Sequence, residues 1–502
     1  MSMLKIGWAE TDITPGEHIS LAGQFAERIS EYIEKPLTAT ALALEAGDEQ
    51  AVICSVDLGS VNWTLLAGIR NKLKDNDAGL DPMKIMVAAI HPHTGPVYAG
   101  GRRMSEKTGG VSGVKRWLTD MLLPGQRYVE KVQIQGNRDI PTAEEALHFL
   151  IDRIANVILE AWKNRVEGGF VNAFGRVPLG MCRRAKYSDG TAAMWGETNT
   201  SCFDSVEGGE DTGVEMLYVF NVEGELTGVV VNLACPAQCV QHRLFVSPDF
   251  WGEAKMLIRK RFGEHVFMLP LCSAAGDQCP VDLVRWVEPE SDVNDPNMKR
   301  TNPPKRKADP SMFDISGMKK AGKRIANEII EVYNEGLDEA QGEAEFEHEV
   351  HLFQLPVRRA TLEDEKNARS AIRDYFNRKE GDVDFNDAAN LQVYLGILRR
   401  IEEQESVDVV DTEVHIVRLG NIVFATNPFE LFLNYGNQIK ARSHAEQTFI
   451  IQLANGTEGY LPTEKAERGG HYSAFISSGT VGHEGGEMLV RETVKRINGL
   501  FD

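Results

Sequence analysis

Short apolar, β-branched runs recur along this chain, and most stop at residues able to do chemistry. That confines it to folds in which strands feed loops and then helices. The runs are 50–59 (QAVICSVDLG), 83–90 (MKIMVAAI), 226–235 (LTGVVVNLAC), 265–273 (HVFMLPLCS), 413–420 (EVHIVRLG), 421–427 (NIVFATN) and 448–456 (TFIIQLANG). Several are followed by helical patterns, the alternation that marks the α/β class. Residues 413–427 read as a hairpin turning at Leu419-Gly420-Asn421, so the sheet is expected to be mixed. The fold expectation is therefore α/β, with a mixed β-sheet core flanked by helices.

Helices are predicted over 141–164, 249–263, 314–335, 361–376 and 384–404, the fourth opening on Thr361 and an acidic first turn. The last two should pack as an αα-hairpin, a helical insert over 361–405. Two long polar excursions, 97–140 and 286–312, have the length of functional lids or linkers, and 286–312 is expected to be a polar loop or lid. No internal repeat of fixed period is found, and the length of 502 residues suggests two or three folding units or one elaborated α/β domain.

With 502 residues and 42% hydrophobic content the chain can bury a large core. A formal net charge of −20 disfavours sequence-independent nucleic-acid binding and anionic membranes, both of which need clustered cations. No basic region leads into an apolar segment at the N-terminus, and no long uninterrupted apolar stretch follows, so no membrane insertion is expected. Seven cysteines without CxxC spacing suit a reducing compartment, and a cytoplasmic location is the default. The expected partner is a small-molecule substrate, with homo-oligomerisation left open.

In open α/β folds ligands sit beyond the carboxyl ends of strands, so residues just after each run are the candidates. After 83–90 come His91 and His93; if that segment stays extended, side chains at i and i+2 share a face and both rings look into one cleft. After 226–235 come Gln238 and His242, and after 265–273 come Asp277 and Cys279. After 421–427 comes Glu430, and after 448–456 comes Tyr460, with Tyr472 twelve positions on. Two histidines, a carboxylate and one more donor make a shell suited to zinc with an open position. Rival readings stand beside these. Glu430 also suits a helix N-terminus over PFELFLNYGNQI, Asp277 a tight turn that satisfies backbone amides, and Cys279 a packed thiol unless a base lowers its pKa.

Taken together these patterns resemble the neutral/alkaline (non-lysosomal) ceramidase family in its catalytic N-terminal region. GWAETDITP is similar to that family's opening G-x-x-x-x-DIT segment, IHPHTGP to HTHSGP, and GMCRRAKYSDG to its NR(R) segment. AAGDQCP is similar to GDVSP, NPFELF to the PGEF-type segment, and GYLPTEKAERGGHY to its tyrosine pair; the order is kept from Gly7 to Tyr472. The resemblance implies a single ceramidase-like catalytic domain over residues 1–502, carrying the helical hairpin insert, that hydrolyses an amide with one zinc ion. His91, Glu430 and Tyr460 would be ligands, His93 would contact substrate or shuttle a proton, and Tyr472 would face the oxyanion. Arg183 or Arg184 would hold a polar or anionic substrate group, and Asp277 and Cys279 would lie in the catalytic GDQCP segment.

Where the family has its second zinc histidine this chain reads Ala234-Cys235-Pro236, and proline cannot ligate. Either Gln238 or His242 takes over, and His242 is preferred because imidazole is the better zinc ligand. The segment that forms a small C-terminal β domain in long ceramidases is not expected here. Basic, polar loops (GGRRMSEK, CRRAKYSDG) point away from ceramide towards an anionic or sugar-derived substrate. The leading expectation is thus a zinc-dependent hydrolase of a polar substrate. Its alternatives are a metal-free carbohydrate- or small-acid-binding protein, and a hydrolase using Cys279 as nucleophile.

Overall fold

The computed structural model describes residues 2–24, 28–74, 78–100, 119–129, 140–285 and 312–502. The expected polar loop or lid over 286–312, except Met312, and much of the 97–140 excursion, including Gly101, Arg102 and Arg103, fall outside the described residues.

One large sheet is built from β1 (Ser2–Asp12), β2 (Thr38–Ala46), β3 (Glu49–Val56), β4 (Ile85–Ala89), β5 (Val166–Arg176), β6 (Gly213–Asn221), β7 (Leu226–Leu233) and β8 (Phe267–Cys272), in the spatial order β8-β7-β6-β5-β1-β2-β3-β4. Its pairs are antiparallel except β3/β4 and β7/β8. A second sheet comprises β9 (Phe346–Pro356), β10 (Val409–Leu419), β11 (Ile422–Thr426) and β12 (Gln447–Ile451), in chain order, with only β11/β12 parallel. The expected hairpin turns at Gly420, in the left-handed region at φ 57°, which glycine enters without steric cost.

Strands such as β2, β3, β4, β8, β11 and β12 are buried on both faces, so they read as continuous apolar runs rather than clean alternations. Along β2, Ala39, Ala41 and Ala43 face one core while Leu42 and Leu44 face another. The large sheet curls until β8 crosses β3, where the Ser55 hydroxyl donates to the Pro270 carbonyl at 2.5 Å; Trp8 of β1 stacks on Phe267 at 5.6 Å. Its inner face shares a core with Val417, Leu419, Phe424, Phe449 and Ile451 of the second sheet.

Helices cover the outer faces. α1 (Trp63–Leu73) and α2 (Ala143–Lys163) pack on the β1–β4 half, and α3 (Phe250–Phe262) and α4 (Asp314–Glu335) on the β6–β8 half. α5 (Leu362–Arg378) and α6 (Phe385–Glu403) pair around their own small core of Ile372, Phe376, Leu391 and Leu395. α7 (Leu433–Arg442), the short α8 (Glu464–Gly469) and α9 (His483–Gly499) cover the second sheet. Thr142 and Thr361 each close a capping box, with Glu145 and Asp364. Among the described residues no helix is long and apolar enough to cross a membrane.

Candidate functional site

The three parallel pairs within the two sheets share one property: their carboxyl ends all release loops into the same region. Gly59 follows β3, His91 and His93 follow β4, Gln238 follows β7, Gly276 follows β8, Glu430 follows β11 and Tyr460 follows β12. This is the end of a parallel pair where α/β sheets place ligands.

The histidine pair does not meet by strand alternation. β4 stops at Ala89, and His91 turns into the left-handed region at φ 67°, a conformation costly for a residue with a Cβ and one that clusters at functional sites. Its backbone N–H donates to the Leu58 carbonyl at 3.1 Å and its Nδ1 to the carbonyl of Gly59. The extended geometry expected from sequence is thus replaced by a bend that sets the two rings 5.0 Å apart at 75°, with Nε2 to Nε2 at 3.4 Å. Gly23, at φ 92°, lies flat against His93; a Cβ there would sit 2.2 Å from the ring, so the approach requires glycine. Arg28 fixes the surrounding loops by donating to the carbonyls of Ala22, His93, Gln241 and Arg243. Burial first, then unfavourable electrostatics from His91, Arg28 and Arg183, holds the His93 pKa well below the ordinary histidine value.

Arg183 is a buried guanidinium at the centre of the cluster. It donates to Gln238 Oε1 at 3.2 Å, the Gly276 carbonyl at 3.0 Å and the Tyr460 hydroxyl at 3.3 Å. Burial alone would weaken its charge, but Tyr460, Cys279, Glu430 and Tyr472 hold its pKa above the ordinary arginine value. Gly276 packs on the Glu430 carbonyl, 2.3 Å from where a Cβ would lie, so this close approach requires glycine. Gln238, in turn, places its Nε2 2.9 Å from His93 Nε2. Burial, Glu430 and Tyr472 push the Tyr460 phenol well above its usual range, so it keeps its proton. The Tyr460 and Tyr472 rings meet edge to face at 5.4 Å.

Glu430 does not start a helix. Glu430–Leu431 pairs in parallel with Tyr460–Leu461, which sets Glu430 opposite Tyr460 and its Oε2 3.5 Å from His91 Nε2. The helix-terminal role falls to Asp277, whose Oδ1 accepts from the Leu433 N–H at 2.9 Å at the start of α7. Its carbonyl also accepts from the Arg183 N–H, and burial raises its carboxyl pKa. Asp277 is therefore placed as a brace beneath the site.

Three other candidates lie in different surroundings. His242 stacks on Phe313 at 4.8 Å with its Nε2 3.5 Å from Asp314, and no described hydrogen bond joins it to His91 or His93; Gln238 holds that place instead. Cys279 packs with Val281, Leu283 and Phe313, donates to the Val281 carbonyl at 3.3 Å, and has its thiol pushed up to about 12 by burial, the surroundings of a packed thiol rather than a nucleophile. Arg184 points away from the cluster, to Glu207 and to the segment carrying Tyr472. Sequence gave no signal for Gly23 or Arg28, isolated residues in a loop without pattern.

Zinc bonds of about 2.0–2.1 Å at a tetrahedral angle set ligand atoms about 3.3 Å apart. His91 Nε2 and Glu430 Oε2 stand near that separation, and His91 has its Nδ1 tied to a carbonyl as zinc-binding imidazoles do. The pair fits one edge of such an ion's shell. Among the described residues no group of three or more His, Cys, Asp and Glu is gathered closely enough to hold an ion. Beside His91 and Glu430 opens a cleft of about 470 Å³ whose wall includes Leu21, Ser60, Asn62, Val97, Leu453 and Thr457.

No family model and no curated protein matches the sequence. Among solved structures, the crystal structure of neutral ceramidase from Pseudomonas aeruginosa aligns with 100% of this chain and 75% of its own, at TM-score 0.65 and 16% identity. The chain has the fold of neutral ceramidase. A ceramidase complexed with C2 gives TM-score 0.64 at 15% identity, covering 100% of this chain and 76% of the other. The expected α/β class and the resemblance read from the motifs both stand on this likeness, and the chain diverges strongly in sequence from these ceramidases.

Proposed function

We propose that the chain is a zinc-dependent hydrolase that cleaves a polar substrate, an amide in the first instance, in the cleft beside His91 and Glu430. The observation that supports it most is the convergence of His91, Glu430, Tyr460 and Arg183 from separate loops of a ceramidase fold. His91 and Glu430 would hold the ion, with Tyr460 beside Glu430; when bound, zinc acidifies water towards neutrality and polarises a carbonyl. His93 is kept neutral by its surroundings, so one of its ring nitrogens keeps a lone pair beside the ion. The protonated Tyr460 and the fixed charge of Arg183 can stabilise an oxyanion without reorganising. A compact cleft walled by Ser60, Asn62 and Thr457 as well as apolar side chains favours a sugar-derived or anionic small molecule over a long lipid. The seven unpaired cysteines, six of them buried, accompany a proposed cytoplasmic site of action.

The test is metal content together with release of free amine from N-acyl hexosamines and N-acyl amino acids. Wild type should carry one zinc per chain and lose turnover to a chelator, and His91→Ala and Glu430→Ala should lose both metal and turnover. Wild-type protein with no stoichiometric metal and no stabilisation by added zinc would refute the reading. Pro236 supports a second reading, a binding protein that holds a carbohydrate or small acid without turnover. Equal metal content in wild type and both variants would favour it.

A further inference from the structure

The donor set described above is one ligand short, and the hydrogen-bond roles around the histidines show which side chain can supply it. We infer that His93 is a direct ligand of the same ion, in the role left vacant by Pro236, rather than a substrate contact. This rests on the zinc reading above.

The argument runs on donors and acceptors. A guanidinium can only donate, so the Gln238 atom that meets Arg183 at 3.2 Å must be the amide oxygen. The other end of that amide is then a donor, and His93 Nε2, 2.9 Å away, must carry a lone pair. A carbonyl can only accept, so the contact of His91 Nδ1 with Gly59 puts a proton on Nδ1, and in the neutral ring that a metal needs, Nε2 then carries a lone pair as well. The two lone pairs lie 3.4 Å apart, and Glu430 Oε2 is 3.5 Å from the first of them. With Gln238 serving His93, a neutral His91 Nε2 and the Glu430 carboxylate face each other as acceptors, which is unfavourable unless a proton or a cation lies between them. Both separations are close to the edge of a zinc tetrahedron, about 3.3 Å.

The amide N–H of Gln238 now occupies the His93 lone pair, which can serve one partner at a time. Gln238 must therefore release His93 when the ion enters, while Arg183 retains the amide oxygen. That exchange accounts for the absence of a closed three-donor group among the described residues. His242 cannot play the part without leaving Phe313 and Asp314.

The test is zinc affinity by competition with a chromophoric chelator, and the visible spectrum of the cobalt-substituted protein, for wild type, His93→Ala, His93→Gln, His242→Ala and Gln238→Ala. His93→Gln guards against loss of folding where the ring packs on Gly23. Both His93 variants should bind zinc at least about 100-fold more weakly, since even removal of an outer-shell partner costs 10- to 100-fold, and should shift the cobalt bands. His242→Ala should match wild type, and Gln238→Ala should bind as tightly or more tightly. Folded His93 variants with wild-type affinity and spectrum would overturn the inference alone, as would loss of zinc confined to His242→Ala. Wild type that takes up no zinc would overturn the inference together with the reading beneath it.

Discussion

Arg183 and Arg184 are adjacent yet serve different ends, and the difference lies in what each guanidinium touches. Arg183 faces neutral partners in the cluster, whereas Arg184, fully buried, pairs with Glu207 at 2.5 and 3.2 Å. Arg184 also donates to the carbonyls of Ala466, Gly470 and Tyr472 and to the Ser473 hydroxyl. That fork anchors the segment in which His471 and Ser473, on either side of Tyr472, both take positive φ. Arg184→Met should destabilise the protein by about 3–5 kcal/mol in urea titration, because it leaves the Glu207 carboxylate buried and unpaired. Arg184→Met with Glu207→Leu should recover part of that loss; additive effects would show that the two residues are not coupled. At this scale the sequence carried His91, Glu430, Tyr460 and Arg183, since each follows an apolar run or sits in a collinear motif. It could not decide between Gln238 and His242, because which side chain of one loop turns back to the histidines depends on Arg183 and Arg28, far away in sequence.

Elements were legible where the chain writes an unbroken apolar run between turn residues, as at 83–90 and 448–456. They were hidden where composition misleads. β2 reads TATALALEA, rich in residues that favour helix, but pairing with β1 and β3 on both sides overrides that weak preference. β5, VEGGFVNAFGR, is broken by glycines that let neighbouring backbone approach closely. The α5/α6 pair bears on the site from behind: Arg400 of α6 donates to the carbonyls of Gly479 and Thr480, and Gly479 bridges to Gly459 next to Tyr460. Contact between β1 and α3 is electrostatic, with Glu10 accepting from Lys255 at 3.2 Å, Arg259 at 2.6 Å and Thr40 at 2.7 Å. Burial opposes the charge of Glu10, but Lys255, Arg259 and Thr40 outweigh it and hold its pKa down at about 2. A carboxylate depressed in this way contributes stability that is present above its unfolded value near 4.5 and is lost as pH falls towards 2. Glu10→Gln should therefore cost about 3 kcal/mol at neutral pH and flatten the stability curve between pH 4.5 and 2. Denaturant midpoints measured across that window, parallel for wild type and variant, would remove Glu10 from the account.

Across the whole molecule the two sheets are joined not only by their shared apolar core but by a buried polar chain that no local pattern announces. Arg70 of α1 reaches Glu413 of β10 with two bonds of 2.9 and 2.6 Å, and Glu413 Oε1 lies 2.9 Å from His415 Nε2. His415 Nδ1 meets His348 Nε2 of β9 at 2.8 Å, and His348 Nδ1 reaches the Gln50 carbonyl of β3 at 2.8 Å, closing the link between sheets. Asn455 adds the connection to the site, receiving the Val87 N–H and donating to the Ile85 carbonyl of β4, the strand that ends before His91. Burial lowers the pKa of both imidazoles, and that of His348 is lowered further by its neighbour His415. A histidine whose pKa is lower in the fold than in the unfolded chain contributes stability that is present above pH 6.5 and is lost as pH falls below it, because the unfolded state takes the proton first. Wild type should thus lose stability below pH 6.5 in part through His348. His348→Gln should be less stable at pH 7 by about 1 kcal/mol, the worth of a net hydrogen bond, yet lose less between pH 6.5 and 5, so that the two curves converge in acid. Equal slopes for the two proteins in urea titrations over that range would mean that the chain binds the sheets without sensing protons.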